Sequence, residues 1–275
     1  MTEQGSDGPK LSAADASWHR WRVAPDSAFE VHHPDGDVSL IQLDHKQFLV
    51  SSPFRFSDAE VITMLTDRLV RNGKTEKQAR DAVEDARTFT PGAENPTDLA
   101  SIPRYMRWFE SSYGVHTLAA IIHDDLIVDV PNGGPLQDDT LSDRFFREMM
   151  RSAGVPWLKR WVMWSAVALR SRWAVGGIRR LSVLLWILLA ACGIALFVWG
   201  VGSATFGTSG RDASAPLVAT LLLPFVAAFL WGKQYGAGIV AAIAALWILP
   251  AAVFAGAGYL VYLGFERTAN LSGLD

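Results

Sequence analysis

The sequence contains a single cysteine, Cys192, so no intrachain disulfide can hold the fold together. Charged side chains are also scarce, at 19% of residues against 50% apolar residues. In the largest polar block, residues 1–154, acidic side chains outnumber basic ones. Contacts with phosphates need an excess of basic groups, so this block disfavours a nucleic acid as the partner. The lone cysteine also agrees with a reducing compartment.

Charge is absent altogether from three long runs, residues 181–210, 213–232 and 234–265. A helix needs about 20 residues to cross the hydrocarbon core of a bilayer. The sequence therefore predicts three transmembrane helices, near 181–201, 215–232 and 238–262. A buried helical core is the alternative, but uncharged runs of this length are atypical of one. No charged residue interrupts a span, which disfavours a pump or a transporter.

The segment before the first predicted span, 155–180, has several basic residues and no acidic one. Trp157, Trp161 and Trp164 share one face of a helix at this spacing. Because tryptophan and arginine suit the membrane–water interface, we expect an interfacial helix that attracts anionic lipids. The alternative is that these tryptophans close the core of the preceding domain. Both interpretations can hold along one helix.

The distribution of Lys and Arg also predicts orientation. These residues concentrate before the first predicted span, whereas Arg211, Lys233 and Arg267 stand singly after the first, second and third spans. Cytoplasmic loops carry the excess of Lys and Arg. We therefore expect a multi-pass protein of the cell membrane, with a cytoplasmic N-terminus and an external C-terminus. The first residues are polar and do not resemble a signal peptide.

The domain plan that follows has five parts. They are a disordered tail at 1–17, a cytoplasmic α+β domain at 18–154, the basic tryptophan-rich helix at 155–180, a membrane domain at 181–265 and an external tail at 266–275. Short antiparallel strands followed by helices are expected in the α+β domain, with strands at 28–33, 38–43 and 47–51. Within the same domain, residues 57–87 are expected to form two helices.

Two local patterns refine this plan. The pairs Ser57–Glu60 and Thr75–Gln78 match the capping box that begins a helix, one for each expected helix. Small residues at Ala237, Ala241 and Ala245 permit close helix packing, either within this chain or in a homo-oligomer formed through the membrane helices.

Side chains able to bind a metal recur between residues 91 and 147. Asp98 lies in a loop before a helix start, His123 and Asp124 follow an apolar helical run, and Asp143 opens a later helix. Three carboxylates and one imidazole are a ligand set for a divalent metal ion, which acidifies a bound water for hydrolysis. In this hypothesis the metal ligands are Asp98, His123, Asp124 and Asp143, and His123 is the alternative general base.

Two further residues complete the hypothetical site. Arg104 would meet an anionic substrate, and Ser101 would hydrogen-bond Asp98 or the substrate. Structural roles remain open for the same residues. Asp98 can make an Asx turn, Asp143 can complete a capping box with Thr140, and a buried His123 and Asp124 can be a satisfied structural pair.

Three motifs occur in order along the chain: Thr97–Arg104, Ala120–Asp124, and Asp143–Phe146 with Gly154 and Val155. Together they resemble a phage-associated bacterial family of unassigned role, domain of unknown function 1353. The resemblance covers roughly 38–170. It implies a small α+β fold in which strands lead into the Thr-Asp-x-Ala-Ser-x-Pro turn. It also implies that the family's polar motif positions are Asp98, Ser101, His123, Asp124 and Asp143.

The chain departs from that family in two respects. The helical pair at 57–87 looks like an insertion, and the predicted spans look like an addition that gives an actinobacterial type of membrane protein. The family implies no reaction. A second similarity, to metal-dependent phosphohydrolases of the His-Asp superfamily, would use His116, His123, Asp124 and Asp143, but it places two histidines on one helix where that superfamily uses two helices.

Three classes of function follow from these patterns. The first is a membrane-anchored, metal-dependent hydrolase of phosphoesters or amides. The second is a non-catalytic, membrane-anchored binding or assembly module, phage-related, in which the polar residues are a structural network and the protein partners are unknown. The third is a holin-like pore former, which the large polar domain disfavours.

Overall fold

The computed structural model describes residues 17–22, 27–31, 37–43, 47–91, 97, 114–128, 134–205 and 210–272. These residues belong to two compact units. The first unit draws on 1–101, 112–137 and 148–154, and the second draws on 102–111, 138–147 and 155–275.

The first unit contains two three-stranded antiparallel sheets, ordered β1-β3-β4 and β2-β5-β6. The strands are β1 Ser17–Arg22, β2 Phe29–Val31, β3 Asp37–Gln42, β4 Phe48–Val50, β5 Phe54–Phe56 and β6 Thr88–Phe89. The three predicted strands are confirmed as β2, β3 and β4, and their pairing is antiparallel. The prediction missed β1, β5 and β6. Strands as short as β5 and β6 show too little alternation to be recognised.

Phenylalanines form the core between the strands of the second sheet. Phe54 and Phe56 are fully buried on β5, and Arg55 between them faces outward, since alternate strand residues point to opposite faces. Arg55 pairs there with Glu30 at 2.6 Å. The Phe54 ring stacks on Phe89 with centroids 5.1 Å apart. Aromatic packing therefore compensates for the shortness of these strands.

A helical hairpin follows, formed by α1 Ala59–Arg71 and α2 Glu76–Arg87. The capping box predicted at Thr75 and Gln78 is confirmed. The one predicted at Ser57 is wrong, because Asp58 is the N-cap of α1 and accepts hydrogen bonds from the N–H groups of Glu60 and Val61. The Ser57 hydroxyl instead donates to the Ala28 carbonyl, which lies just before β2.

Two more helices follow along the chain, α3 Thr117–Val128 and α4 Asp139–Ser152. Helix α3 is buried over most of its length, as its nearly continuous apolar sequence predicts. It packs on α2 and β6. The residues of α4 are divided between the two units.

The second unit is helical. Its elements are α5 Trp157–Val175, α6 Gly177–Thr205, α7 Gly210–Ala228, the 3₁₀ turn Phe229–Gln234 and α8 Tyr235–Ser272. Gly176 ends α5 with φ of 77°, and Gly232 breaks the path between α7 and α8 with φ of 54°. Both conformations are left-handed and therefore favour glycine. Helix α8 continues to Ser272, so residues 266–272 are helical.

Two stretches, Gly177–Ser203 and Leu217–Ala245, are long and apolar enough to cross a bilayer. Only 17% and 31% of the residues in their apolar windows are buried, which is unlike the core helices of soluble proteins. The prediction of three spans is therefore corrected to two among the described residues, with a shorter apolar helix at Phe254–Phe265. The second predicted span ends at the break around Gly232, and the qualifying stretch runs across that break into α8.

The small residues of α8 pack inside the chain. Ala237, Ala241 and Ala245 are all buried. A Cβ added to Gly238 would lie 2.8 Å from Cγ of Trp231, so the start of α8 approaches the preceding turn as closely as glycine allows. This is the first of the two roles expected for the stripe, close packing between helices of one chain.

The tryptophans of α5 differ in their exposure. Trp164 is buried, and the Arg147 guanidinium lies 4.5 Å from its ring centroid and 4.8 Å from that of Trp161. Trp157 is 65% exposed. The same helical face thus closes a core at one end and presents an exposed ring at the other.

Replacing Asp58 tests the cap of α1. Ser152 donates to Oδ2 of Asp58 at 2.5 Å, and this bond, with those from Val61 and Glu60, lowers the Asp58 pKa below 3.8 although burial opposes the shift. We expect Asp58→Ala to speed amide exchange in α1 by a local loss of about 0.5–2 kcal/mol. Hydrogen–deuterium exchange by mass spectrometry of the full chain measures this loss.

The pH dependence gives the control. A carboxyl whose folded pKa is lowered contributes stability above its unfolded pKa, and the contribution is lost as pH falls through the folded pKa. The difference between wild type and Asp58→Ala should therefore be constant above about pH 5 and shrink below the ordinary value of 3.8. Ser57→Ala should show no such pH dependence. A larger and pH-dependent effect of Ser57→Ala would contradict the assignment of the cap.

Candidate functional site

Three of the residues expected in the site, Asp98, Ser101 and Arg104, lie outside the described residues. Thr97, the first residue of their motif, is among the described residues. The Thr97 N–H donates to the Phe48 carbonyl at 2.8 Å, and the Phe48 N–H donates back at 2.8 Å. The motif therefore starts from an antiparallel bridge to β4, as the resemblance implied for strands that lead into this turn.

Two buried histidines lie in this part of the first unit, one just before α3 and one within it. His116 immediately precedes the helix and is 0% exposed, and His123 within it is 2% exposed. Asp124 is half-buried, and Asp125 is exposed. The His116 ring folds back toward Gly114, where a Cβ would lie 3.0 Å from Nδ1. The first unit therefore holds two buried imidazoles and two carboxylates, one half-buried and one exposed, on one short segment.

Asp143 is fully buried in the second unit, and both of its carboxylate oxygens accept hydrogen bonds. The Ser171 hydroxyl donates to Oδ1 at 2.8 Å. The Gln234 side-chain amide donates to Oδ2 at 2.7 Å. A buried carboxylate needs such donors, because desolvation is otherwise costly. Asp143 thus links α4 to α5 and to the turn before α8 within the second unit.

Asp143 does not complete a capping box with Thr140. Asp138 begins α4 instead, since its Oδ1 accepts hydrogen bonds from both the Thr140 N–H at 3.0 Å and the Thr140 hydroxyl at 2.6 Å. The backbone carbonyl of Asp138 accepts from Leu141 and Ser142. Asp138 therefore caps the start of α4, and the Asp143 carboxylate accepts from Ser171 and Gln234 instead.

Gln234 links Asp143 to a buried cation. While its amide nitrogen donates to Asp143, its amide oxygen accepts from Nη1 of Arg172 at 3.3 Å. An amide side chain offers a donor to a carboxylate on one side and an acceptor to a guanidinium on the other. We call Asp143, Ser171, Arg172 and Gln234 the buried network.

Arg172 stabilises the break between α7 and α8. Its guanidinium donates to the carbonyls of Leu230 and Trp231, each at 3.0 Å, and to the Ser182 hydroxyl at 2.9 Å. A helix break leaves the carbonyls just before it without intrahelical partners, and Arg172 donates to two of these carbonyls. Its carbon Cζ also lies 5.5 Å from the Trp231 ring centroid. Arg172 is only 7% exposed, so few water molecules could take over these hydrogen bonds.

Burial lowers the pKa of the Arg172 guanidinium, and the neighbouring Arg179 cation lowers it further. Asp139 and Asp143 oppose this shift with their negative charges. Arginine stays protonated in proteins, so the buried charge is permanent and must be balanced. Asp143 is one of the two carboxylates that balance it.

A metal site was expected from Asp98, His123, Asp124 and Asp143. Among the described residues, no group of three or more His, Cys, Asp or Glu side chains is placed to hold a metal ion. His123 and Asp124 belong to the first unit and Asp143 to the second. The complete ligand set includes Asp98, which is not described, so it stays a prediction.

A family model described as a protein of unknown function, DUF1353, matches residues 77–167. We call residues 77–167 the DUF1353 region, because they are similar to this family. The match begins inside α2 and ends inside α5, so it is shorter than the 38–170 that the resemblance suggested. No curated protein matches the chain, and no solved structure matches it. Asp143 lies inside the DUF1353 region, whereas Ser171, Arg172 and Gln234 follow it.

The sequence interpretation missed Ser171 and Gln234 and assigned Arg172 only to the basic segment. One signal was available. Gln234 is a polar residue next to Lys233 at the junction of two apolar runs, where a buried amide needs a partner. Nothing in the sequence indicates that this partner is Asp143, which lies 91 positions earlier.

Gln234→Leu tests the buried network. We expect the substitution to remove one partner from each of two buried charges and to lower the stability of the full chain in detergent by about 1–3 kcal/mol. Thermal and denaturant unfolding measure the loss. Tyr235→Phe, at the exposed neighbouring position, is the control and should change little.

A double-mutant cycle adds the partner. Asp143→Leu with Gln234→Leu removes both sides of one hydrogen bond, so the double variant should lose less stability than the sum of the two single variants. Additive losses would show that Asp143 and Gln234 do not interact and would contradict the network.

Proposed function

We propose that this chain is a membrane-anchored protein whose DUF1353 region is joined to apolar helices by the buried network, and that it works as a binding or assembly module. The observation that carries this proposal is the bonding of Asp143. Its two oxygens already accept from Ser171 and Gln234, and the residue is fully buried. A carboxylate in that state is shielded from solvent, and other side chains of the second unit already donate to both of its oxygens.

Exposed apolar side chains support the membrane part of the proposal. On α6, Leu184, Leu188 and Val198 are 47%, 59% and 63% exposed. A helix in water normally buries one apolar face and presents polar groups on the other. Helix α6 instead exposes apolar groups along its length, which a lipid environment would cover.

The finer topology belongs to the same proposal. The two passes would be α6 and α7. Since Lys and Arg concentrate before α6, the N-terminal side would be cytoplasmic.

A metal-dependent hydrolase is the second candidate. The observation in its favour is the burial of His116 and His123 at one segment of the DUF1353 region, with Asp124 partly accessible beside them. Buried imidazoles next to carboxylates are common metal ligands. In this candidate His123 and Asp124 bind the ion with Asp98, and Ser101 and Arg104 position the substrate.

Alkaline carbonate extraction tests the anchor. We expect the full chain to remain in the membrane pellet. Leu188→Arg places a charge within α6 at a cost of about 2.5–3.5 kcal/mol for insertion, so it should lower the share recovered in the membrane. Leu158→Arg, on the exposed surface of α5 and outside both candidate spans, is the matched control. Recovery of the wild-type chain in the supernatant would contradict the anchor.

The metal content of the full chain, purified in mild detergent without chelator, separates the two candidates. The binding module predicts no stoichiometric metal. It also predicts that Asp143→Asn destabilises the protein, because the amide nitrogen of asparagine cannot accept a hydrogen bond. The hydrolase predicts near-stoichiometric metal that is lost in folded Asp98→Ala and His123→Ala variants. Mass spectrometry of bound metal gives the count, and circular dichroism confirms folding.

A further inference from the structure

Arg172 brings the end of α5, the start of α6 and the Phe229–Gln234 turn to one level of the second unit. Its guanidinium contacts Ser182 on α6 and the carbonyls of Leu230 and Trp231 in the turn. Residues adjacent in sequence to these contacts therefore lie around the same level. Five of them are exposed aromatic or cationic side chains, which we call the collar: Trp173, Arg180, Phe229, Lys233 and Tyr235.

The arginines near this level have different roles. Arg172 is buried in the network, and Arg179 forms an ion pair with Asp139. Arg180 is exposed, and among the described residues no carboxylate pairs with it. Its Nε donates to the Trp173 carbonyl at 3.1 Å, and its Cζ lies 5.2 Å from the Trp173 ring centroid. This contact holds the guanidinium beside an exposed indole.

A second aromatic pair lies in the turn and at the start of α8. The rings of Phe229 and Tyr235 have centroids 5.5 Å apart and belong to residues that are 73% and 41% exposed. Lys233 lies between them in sequence and is also exposed. Exposed rings beside cations are the combination found where a protein meets the interface of a bilayer.

Helix α6, which begins at this level, is apolar. Ile178, Leu181 and Leu184 on the first turns of α6 are 83%, 54% and 47% exposed. A partner for the whole surface must therefore offer an anion to the cations and an apolar chain to α6. An anionic phospholipid offers both in one molecule, whereas an acidic protein surface offers only the first.

We infer that the collar binds the headgroups of anionic phospholipids, with Arg180 and Lys233 contacting the phosphate. Trp173, Phe229 and Tyr235 pack against the glycerol and upper acyl region. The charge supports this occupant, because residues 155–205 contain no acidic side chain. The inference rests on the proposed function, since it requires the chain to lie in a bilayer.

Native mass spectrometry of the full chain, released from nanodiscs of equal phosphatidylglycerol and phosphatidylcholine, tests the inference. We expect the wild-type protein to retain phosphatidylglycerol in preference to phosphatidylcholine. Arg180→Gln with Lys233→Gln should lower this preference by about tenfold, because two cations near the anionic surface are lost. The matched control is Lys77→Gln with Arg267→Gln, which removes the same charge from exposed positions elsewhere and should retain the preference.

Two results would overturn the inference: an equal preference in the wild-type protein and the collar double variant, or no preference in the wild-type protein. Raising the salt concentration should weaken a preference that comes from exposed cations. Carbonate extraction separates this inference from the proposed function. A chain that stays in the membrane but retains both lipids equally contradicts the collar alone, whereas a chain that is extracted contradicts both.

Discussion

The second unit depends on two buried charges of opposite sign, Asp143 and Arg172, joined through the amide of Gln234. Taking a carboxylate and a guanidinium out of water costs several kcal/mol each unless their hydrogen-bonding positions are filled. Here Ser171 and Gln234 satisfy the carboxylate, and backbone carbonyls of the turn take bonds from the guanidinium. Removing any member takes a hydrogen bond from another buried member, so the four residues depend on one another.

This element also explains how an apolar helix path can break. The left-handed conformation of Gly232 interrupts the ladder between α7 and α8. In an apolar environment the carbonyls released there have no water to bond with. Arg172 donates to two of them, at Leu230 and Trp231. The break, the cation and its counter-charge are therefore interdependent, and Gly238 then allows α8 to pack closely against the turn.

The network crosses the boundary of the DUF1353 region. Asp143 lies inside the matched residues 77–167, and each of its donors lies after them. The resemblance had implied that Asp143 is a polar motif position with a place in a site. In this chain, Ser171 on α5 and Gln234 in the turn before α8 donate hydrogen bonds to that carboxylate. The histidines of α3 are in the other unit, and a metal hypothesis for them does not need Asp143.

The sequence by itself determined the local elements, because their causes lie within a few residues. Thr75 and Gln78 satisfy each other across one helical turn, and the apolar character of α3 and α6 follows from their composition. Ser57 shows where such reasoning reaches its limit, since Asp58 was an equally suitable cap one position later. Only the tertiary structure decided the candidate site. Asp143 and Gln234 lie 91 positions apart in sequence. The packing that brings them together also places Asp143 at the amide nitrogen of Gln234 and Arg172 at its amide oxygen.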